Sequence, residues 1–321
     1  MQVLSVCIVI LFSLLSTVCA FSADANDWAP TAADELRAIR NNAESPARKQ
    51  PVTVLPALAQ DRVGLVRKVQ IDTSDRPIAL TFDLCELATV TTGCDMQTIA
   101  FLHDNRIPAT FFAGGKWMRT HAKRMKQMLS VPFFEFGNHA WTHGNCALLS
   151  SRGLRAQVLW TQAQYELLRE EAIEQGGRPD IPPVPTLFRL PYGRCTKQAL
   201  TEIAALGLTV VQWDIVAERG AVRTEDAARR YAASLVKECA PGSILLFHAN
   251  RVPTGTALLV REVVSKLRAE NWRFVTVSEL LTLGRPVLVE DGYFTRPGDN
   301  IALDKKFGRD GTGSRVRFEG E

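Results

Sequence analysis

Seven short apolar runs punctuate the chain, at 78–82, 109–113, 133–136, 186–190, 208–213, 243–247 and 274–277. Each is too short for a helix and is bounded by polar, Gly or Pro positions, the pattern of buried strands. Between them the apolar spacing turns helical. Val260, Val263, Val264 and Leu267 make one apolar face, and Val158, Tyr165, Leu168 and Ala172 a longer, looser one. Strands alternating with helices predict a parallel α/β sheet or barrel. This pattern occupies residues 76–284. From 24 to 75 the text is polar and only patchily apolar, which reads as an N-terminal extension; over 285–321 it shifts to Gly and mixed charge without periodicity, which reads as a tail.

The first residues change the picture of where the chain works. Val3 to Val18 form an apolar run broken only by Ser and Thr, followed by small residues that suit cleavage after about Ala20 or Ala23. Residues 1–23 therefore read as a signal peptide, and the protein as secreted or periplasmic, with no stable membrane span once the leader is removed. The competing reading is a membrane anchor, since no Lys or Arg precedes the run. With 321 residues, 46% hydrophobic, 22% charged and a net charge of +4, the chain has ample core material. No fibrous, disordered or multi-span class fits that composition, and no basic stripe argues for nucleic acid as a partner. The leader apart, five cysteines remain: Cys85, Cys94, Cys146, Cys195 and Cys239. An odd set leaves at least one thiol unpaired. Cys85 with Cys94 would close a short loop and Cys195 with Cys239 a long one, but spacing fixes no connectivity. The absence of a CxxC pair argues against a cysteine-based zinc site.

In a parallel sheet or barrel the reactive groups lie just past the carboxyl ends of the strands. Asp83 and Glu86 follow the first run, His139 and His143 the third, Arg189 ends the fourth, Asp214 follows the fifth and His248 the sixth. Any one of these has a plain explanation as a turn or cap residue; so many together do not. The pair in Asn138-His139-Ala140-Trp141-Thr142-His143 has the spacing that lets two imidazoles meet one divalent ion if the segment makes a single helical turn.

Thr81-Phe82-Asp83, the NHxxTH segment, Arg189-Leu190-Pro191-Tyr192-Gly193 and Leu246-Phe247-His248 occur in the order and at the spacings of the NodB-homology polysaccharide deacetylases, carbohydrate esterase family 4, which the chain resembles over about 76–283. The resemblance implies a distorted (β/α)7 barrel and hydrolysis of N-acetyl groups on amino sugars of a polysaccharide such as peptidoglycan or chitin. It implies Asp83 as general base, His139 and His143 as ligands of a divalent metal, most simply zinc, and Arg189 orienting Asp83. Tyr192 would lend a backbone N–H to the oxyanion, Leu246 would line the acetyl pocket and His248 would protonate the leaving amine. These residue types suit an unreactive amide, whose carbonyl must be polarised, whose attacking water must be activated and whose nitrogen must receive a proton.

The sequence departs from the family pattern twice. Leu84 stands where a second aspartate normally ligates the metal. Glu86 is taken as the substitute ligand, with Asp95 and Asp83 itself as alternatives. The acid that supports the arginine would fall at Arg219-Gly220, where there is none; Glu218 and Asp214 are the nearest, and Asp214 serves equally well as a strand-end cap. Two other readings follow: a catalytically silent glycan-binding protein of the same fold, and an amidohydrolase of small amides. Trp141, lying between the two histidines, is the tryptophan expected to stack on sugar, whereas Trp160, Trp213 and Trp272 read as core.

Overall fold

The computed structural model describes residues 27–35, 44–72 and 74–309; the leader read at 1–23 lies outside them. The strands are β1 (Leu65–Gln70), β2 (Pro77–Leu84), β3 (Ala109–Ala113), β4 (Phe134–Asn138), β5 (Leu187–Phe188), β6 (Thr209–Val211), β7 (Ile215–Val216), β8 (Ile244–His248), β9 (Arg273–Val275) and β10 (Arg285–Val289). The helices are α1 (Met96–Asp104), α2 (Gly115–Thr120), α3 (Ala122–Leu129), α4 (Ser151–Glu174), α5 (Lys197–Ala205), α6 (Glu225–Leu235), α7 (Thr256–Ala269), α8 (Val277–Leu283) and α9 (Ala302–Phe307). Both helical faces read from periodicity are present, in α4 and α7. Sequence also marks where helices start. Asp95, Ser150, Thr196, Thr224 and Thr276 each accept a hydrogen bond from a backbone N–H of the turn that follows, a cap typically worth about 1 kcal/mol.

Parallel strands run β2–β3–β4–β5–β6, and on the other side of β2 lie β8 and then β7. Because β6 and β7 are one segment interrupted at 212–214, the sheet curls until it closes through that kink. The result is a distorted (β/α) barrel. Strand β2 is buried along its whole length, which is why its sequence is a continuous apolar run rather than an alternating one.

Alternation nevertheless sets which residue faces where. Ile78, Leu80, Phe82 and Leu84 pack outward among Ile99 and Leu102 of α1 and Leu259 and Val263 of α7. Ala79 packs inward with Phe112, Val211, Trp213, Ile244 and Leu246. Gly137 belongs to this interior, since a Cβ there would come within 2.5 Å of the Phe112 ring. Thr81 and Asp83 continue the inward column toward the carboxyl rim.

Three strands lie outside the seven runs: the two-residue β7, just beyond the run 208–213, and β1 and β10. In the segment read as an extension, β1 pairs parallel to β6 and antiparallel to β10, and β10 lies in the segment read as a tail. The run Leu65-Val66-Arg67-Lys68-Val69-Gln70 hides its strand because Arg67 is itself buried, with its guanidinium 3.6 Å from the Tyr293 ring centroid. Residues 290–309 then pass along the rim of the barrel, tied by Asp304 to Arg194 at 2.6 Å and by Asn300 to the Tyr192 carbonyl at 2.8 Å.

Candidate active site at the carboxyl rim of the barrel

Strand register gathers the rim. Asp83 of β2 is the direct partner of His248 of β8. Continuing the β7–β8 register past Val216 and Leu246 brings Glu218 level with His248, and the Arg189 N–H donates to the Asn138 carbonyl, which sets Arg189 beside His139.

Asp83 is held by one group and lies beside a second. The Arg189 Nη1 donates to its Oδ1 at 3.0 Å, and its Oδ2 lies 3.3 Å from His139 Nε2. Arg189 is fully buried and spends its other donors on Thr81 Oγ1 and on the carbonyls of Val211 and Gln212, while its plane lies 3.9 Å from the Phe112 ring centroid. The acid expected to support it is replaced by those kink carbonyls; Arg219 instead pairs with Glu238 at the surface. Asp214 is a strand-end cap, accepting from Ile244 N and Ser243 Oγ.

The two histidines meet without a helical turn. Residues 139–146 are irregular, and Ala140 and His143 both adopt left-handed backbone conformations, with φ of 63° and 56°. The loop is fastened by α2, whose first amides, at Gly115 and Lys116, donate to the carbonyls of Ala140 and Trp141. The imidazoles end edge to face, centroids 4.8 Å apart. His139 Nδ1 sits 2.9 Å from the Arg189 carbonyl, an acceptor only, so the ring proton is on Nδ1 and Nε2 carries a lone pair. Burial holds both histidines below their ordinary range, with His139 and His248 adding to the effect at His143. His139 Nε2 and His143 Nδ1 meet no hydrogen-bond donor among the described residues.

Such buried, unpartnered lone pairs are costly unless something electropositive sits between them, and that fits a divalent cation. The donor atoms of Cys85, His139 and His143 all lie within 4.8 Å of one another. Cys85 is the next inward position after Asp83, so period-two counting from Thr81 could have found it.

Glu86, expected as the third ligand, points elsewhere. Its Oε1 accepts from Thr92 N and its Oε2 from Thr120 Oγ1, with Lys116 Nζ at 3.7 Å. Lys116, which burial pulls down to about 8, also donates to the carbonyls of Leu87, Ala88 and Val90. This cluster pins the loop that a Cys85–Cys94 bridge, one of the open pairings, would also have pinned. All five cysteines are free: Cys85 faces the histidines and Cys94 the helix-side core. Asp95 caps α1.

His248 lies across from Asp83. Burial disfavours its charge, but Nδ1 lies 2.8 Å from Glu218 Oε2, and that carboxylate raises the imidazole above its ordinary range. The same oxygen accepts from the His248 N–H, and Thr256 Oγ1 donates to the other one. Leu246 lies inside the barrel just below, 1% exposed. Tyr192 sits at φ 59° in the turn Pro191–Gly193, its ring 4.4 Å from His143 and stacked 4.8 Å from Phe307. Phe307, in the stretch read as a tail, thus backs the wall beside His143; no periodicity signals it. Trp141 does not line the site: it is fully buried, edge-on to Trp160 at 6.1 Å, and a Cβ on Gly115 would come within 2.1 Å of it.

A family model described as polysaccharide deacetylase matches residues 70–211. By that match the chain is similar to the polysaccharide deacetylases, the group named carbohydrate esterase family 4. It is 29% identical over 227 residues to the peptidoglycan-N-acetylglucosamine deacetylase PgdA of Listeria monocytogenes, a match spanning 70% of this chain and 42% of that protein. A chitooligosaccharide deacetylase of Rhizobium leguminosarum bv. phaseoli is 25% identical over 155 residues, 48% of this chain and 62% of that one. A solved pseudoenzyme of the family from Bacillus anthracis, 19% identical, superposes with a TM-score of 0.54 over 72% of this chain and 73% of that one, and shows the fold. Set against the polysaccharide deacetylases, the departure at Leu84 now has a physical description: the side chain turns outward into the helix-side core and is fully buried.

Proposed function

We propose that the protein is a metal-dependent hydrolase that removes N-acetyl groups from amino sugars of a polysaccharide, peptidoglycan or a chitin-like polymer. The observation that carries this reading is the pairing of two differently prepared groups across the rim, Asp83 beside Arg189 and His139 on one side and the His248–Glu218 pair on the other. Arg189 fixes the Asp83 carboxylate so that it can take a proton from a water molecule as the water oxygen attacks the acetyl carbonyl carbon. His248, held protonated by Glu218, gives its proton to the sugar nitrogen as the C–N bond breaks, releasing a free amine and acetate. The Tyr192 backbone N–H supplies an oxyanion donor, a contribution of roughly 3 kcal/mol in comparable sites, and Leu246 bounds the acetyl methyl. His139 and His143 would hold a divalent ion, most simply zinc, which would supply polarisation of the acetyl carbonyl when bound.

Residues 76–284 form the catalytic unit in this reading, β1, β10 and the rim segment bracing it, and the leader places the enzyme outside the cytoplasm or in the periplasm. Among the described residues no helix is long and apolar enough to cross a membrane. The test is acetate release from N-acetylglucosamine oligomers and purified cell wall, with and without a chelator. Release that rises with oligomer length and stops on chelation supports the proposal. A protein that binds these glycans without releasing acetate, even with zinc or cobalt supplied, is instead the silent glycan-binding form that the loss of a carboxylate at Leu84 would favour.

A further inference from the structure

We infer that Cys85 supplies the third protein ligand of the metal, so that a thiolate replaces the carboxylate lost at Leu84. This rests on the metal-dependent reading above and deepens it by assigning the donor set.

The backbone makes the exchange geometrically simple. Thr81, Asp83 and Cys85 share the inward face of the strand and its continuation, whereas Leu84 and Glu86 turn away from it. Leu84 is fully buried against the helices, and Glu86 has both oxygens engaged by Thr92 and Thr120. Asp95 is occupied at the start of α1, and Asp83 Oδ1 by Arg189. Cys85 is left, with its sulfur in one group with His139 and His143, no two donor atoms more than 4.8 Å apart. Ligands of a tetrahedral zinc with bonds of about 2.0–2.3 Å stand roughly 3.4–3.6 Å from each other, so closing the group takes movements of the order of 1 Å. It is the one such group among the described residues.

Two further features suit a bound sulfur. The aimed lone pairs of His139 and His143 are buried without donors, so the imidazole half of the site is formed before any metal arrives. The buried Asn250 amide donates to Cys85 Sγ at 3.4 Å and to its carbonyl at 2.9 Å, and Thr92 Oγ1 donates to the same carbonyl. Amide donors to a ligating sulfur fix its orientation and disperse its charge. On coordination the Sγ–H bond breaks, the proton passes to buffer and the sulfur electron pair forms the bond to the ion, with no change of oxidation state. Two imidazoles and one thiolate leave a fourth position free for water, and the softer sulfur biases the site toward zinc or cobalt and away from magnesium.

The test is the absorption spectrum of the full chain loaded with cobalt(II), read beside metal content. Wild type is expected to bind one cobalt and show a sulfur-to-cobalt charge-transfer band in the near ultraviolet. Cys85→Ser should lose the band and weaken cobalt binding by at least about tenfold, the lower end of what even an outer supporting residue typically contributes. Cys85→Asp should bind cobalt without the band. Cobalt bound in wild type with no such band, or a band that survives in Cys85→Ser, overturns the thiolate assignment and leaves the metal-dependent reading intact. A wild-type protein that binds no cobalt overturns both. Because wild type alone can overturn the assignment, a variant that fails to fold does not remove the test.

Discussion

Replacing Arg189 with Met tests whether one buried cation holds both the base and the closure of the barrel. The substitution keeps much of the side-chain length and removes every donor. Asp83 loses its partner at 3.0 Å, and the carbonyls of Val211 and Gln212, at the kink between β6 and β7, lose theirs at 3.2 and 3.1 Å. Breaking a buried ion pair from one side costs about 3–5 kcal/mol, and each carbonyl left dry adds up to about 1–3 kcal/mol. The lower figure, about 3 kcal/mol, already lowers Tm by roughly 6–12 °C in a domain of this class. Acetate release should fall at least about 100-fold, since a misplaced base forfeits that much. Asp83→Asn is the companion. Its amide still accepts from Arg189 and can donate to the unpartnered His139 Nε2, so Tm should fall less, while the lost base costs about 10²–10⁴-fold in rate. Thermal melts and acetate assays on the two variants read both quantities. An unchanged Tm in Arg189→Met, or wild-type turnover in Asp83→Asn, refutes the reasoning.

Glu218→Gln removes the charge that raises His248, so the acid loses its proton at lower pH and the alkaline limb of the kcat/KM profile should move down. The sign is the same for stability: what protonated His248 contributes is complete below the ordinary histidine value of 6.5 and is lost as pH climbs through the raised one, and in the variant that loss comes earlier. Trp141→Ala should cost about 3–5 kcal/mol in a denaturant titration, whereas Trp141→Phe should leave oligosaccharide KM unchanged, as expected of a core residue and not of a sugar platform. Glu86→Gln should lower stability, because Lys116 is left buried without its carboxylate, yet leave the bound-metal stoichiometry measured by elemental analysis at the wild-type value.

Apart from the two-residue β7, most strands of the barrel were legible because they are largely buried and written as short apolar runs. Strand β1 was not, since Arg67 is buried through a stack on Tyr293 that nothing local announces, and β10 is an edge strand with half-exposed, mixed residues. That Asp83, His139, His143, Arg189 and His248 gather at one rim was legible from their places at strand ends. What failed was the aim of individual side chains. The charge of Glu86 suggests a ligand, although strand alternation turns it toward Lys116 and gives the inward position to Cys85. Sequence spacing points Glu218 toward Arg189, although the β7–β8 register sets it beside His248. The NHxxTH segment meets as expected but by two left-handed residues rather than a helical turn, because α2 donates to its carbonyls.

The most direct measurement is anomalous diffraction at the zinc absorption edge from crystals grown with zinc. One strong peak within bonding distance of both His139 and His143, with the Asp83 carboxylate alongside, is the expected result. A peak bound elsewhere, or the two imidazoles turned into separate pockets with no metal between them, would contradict it.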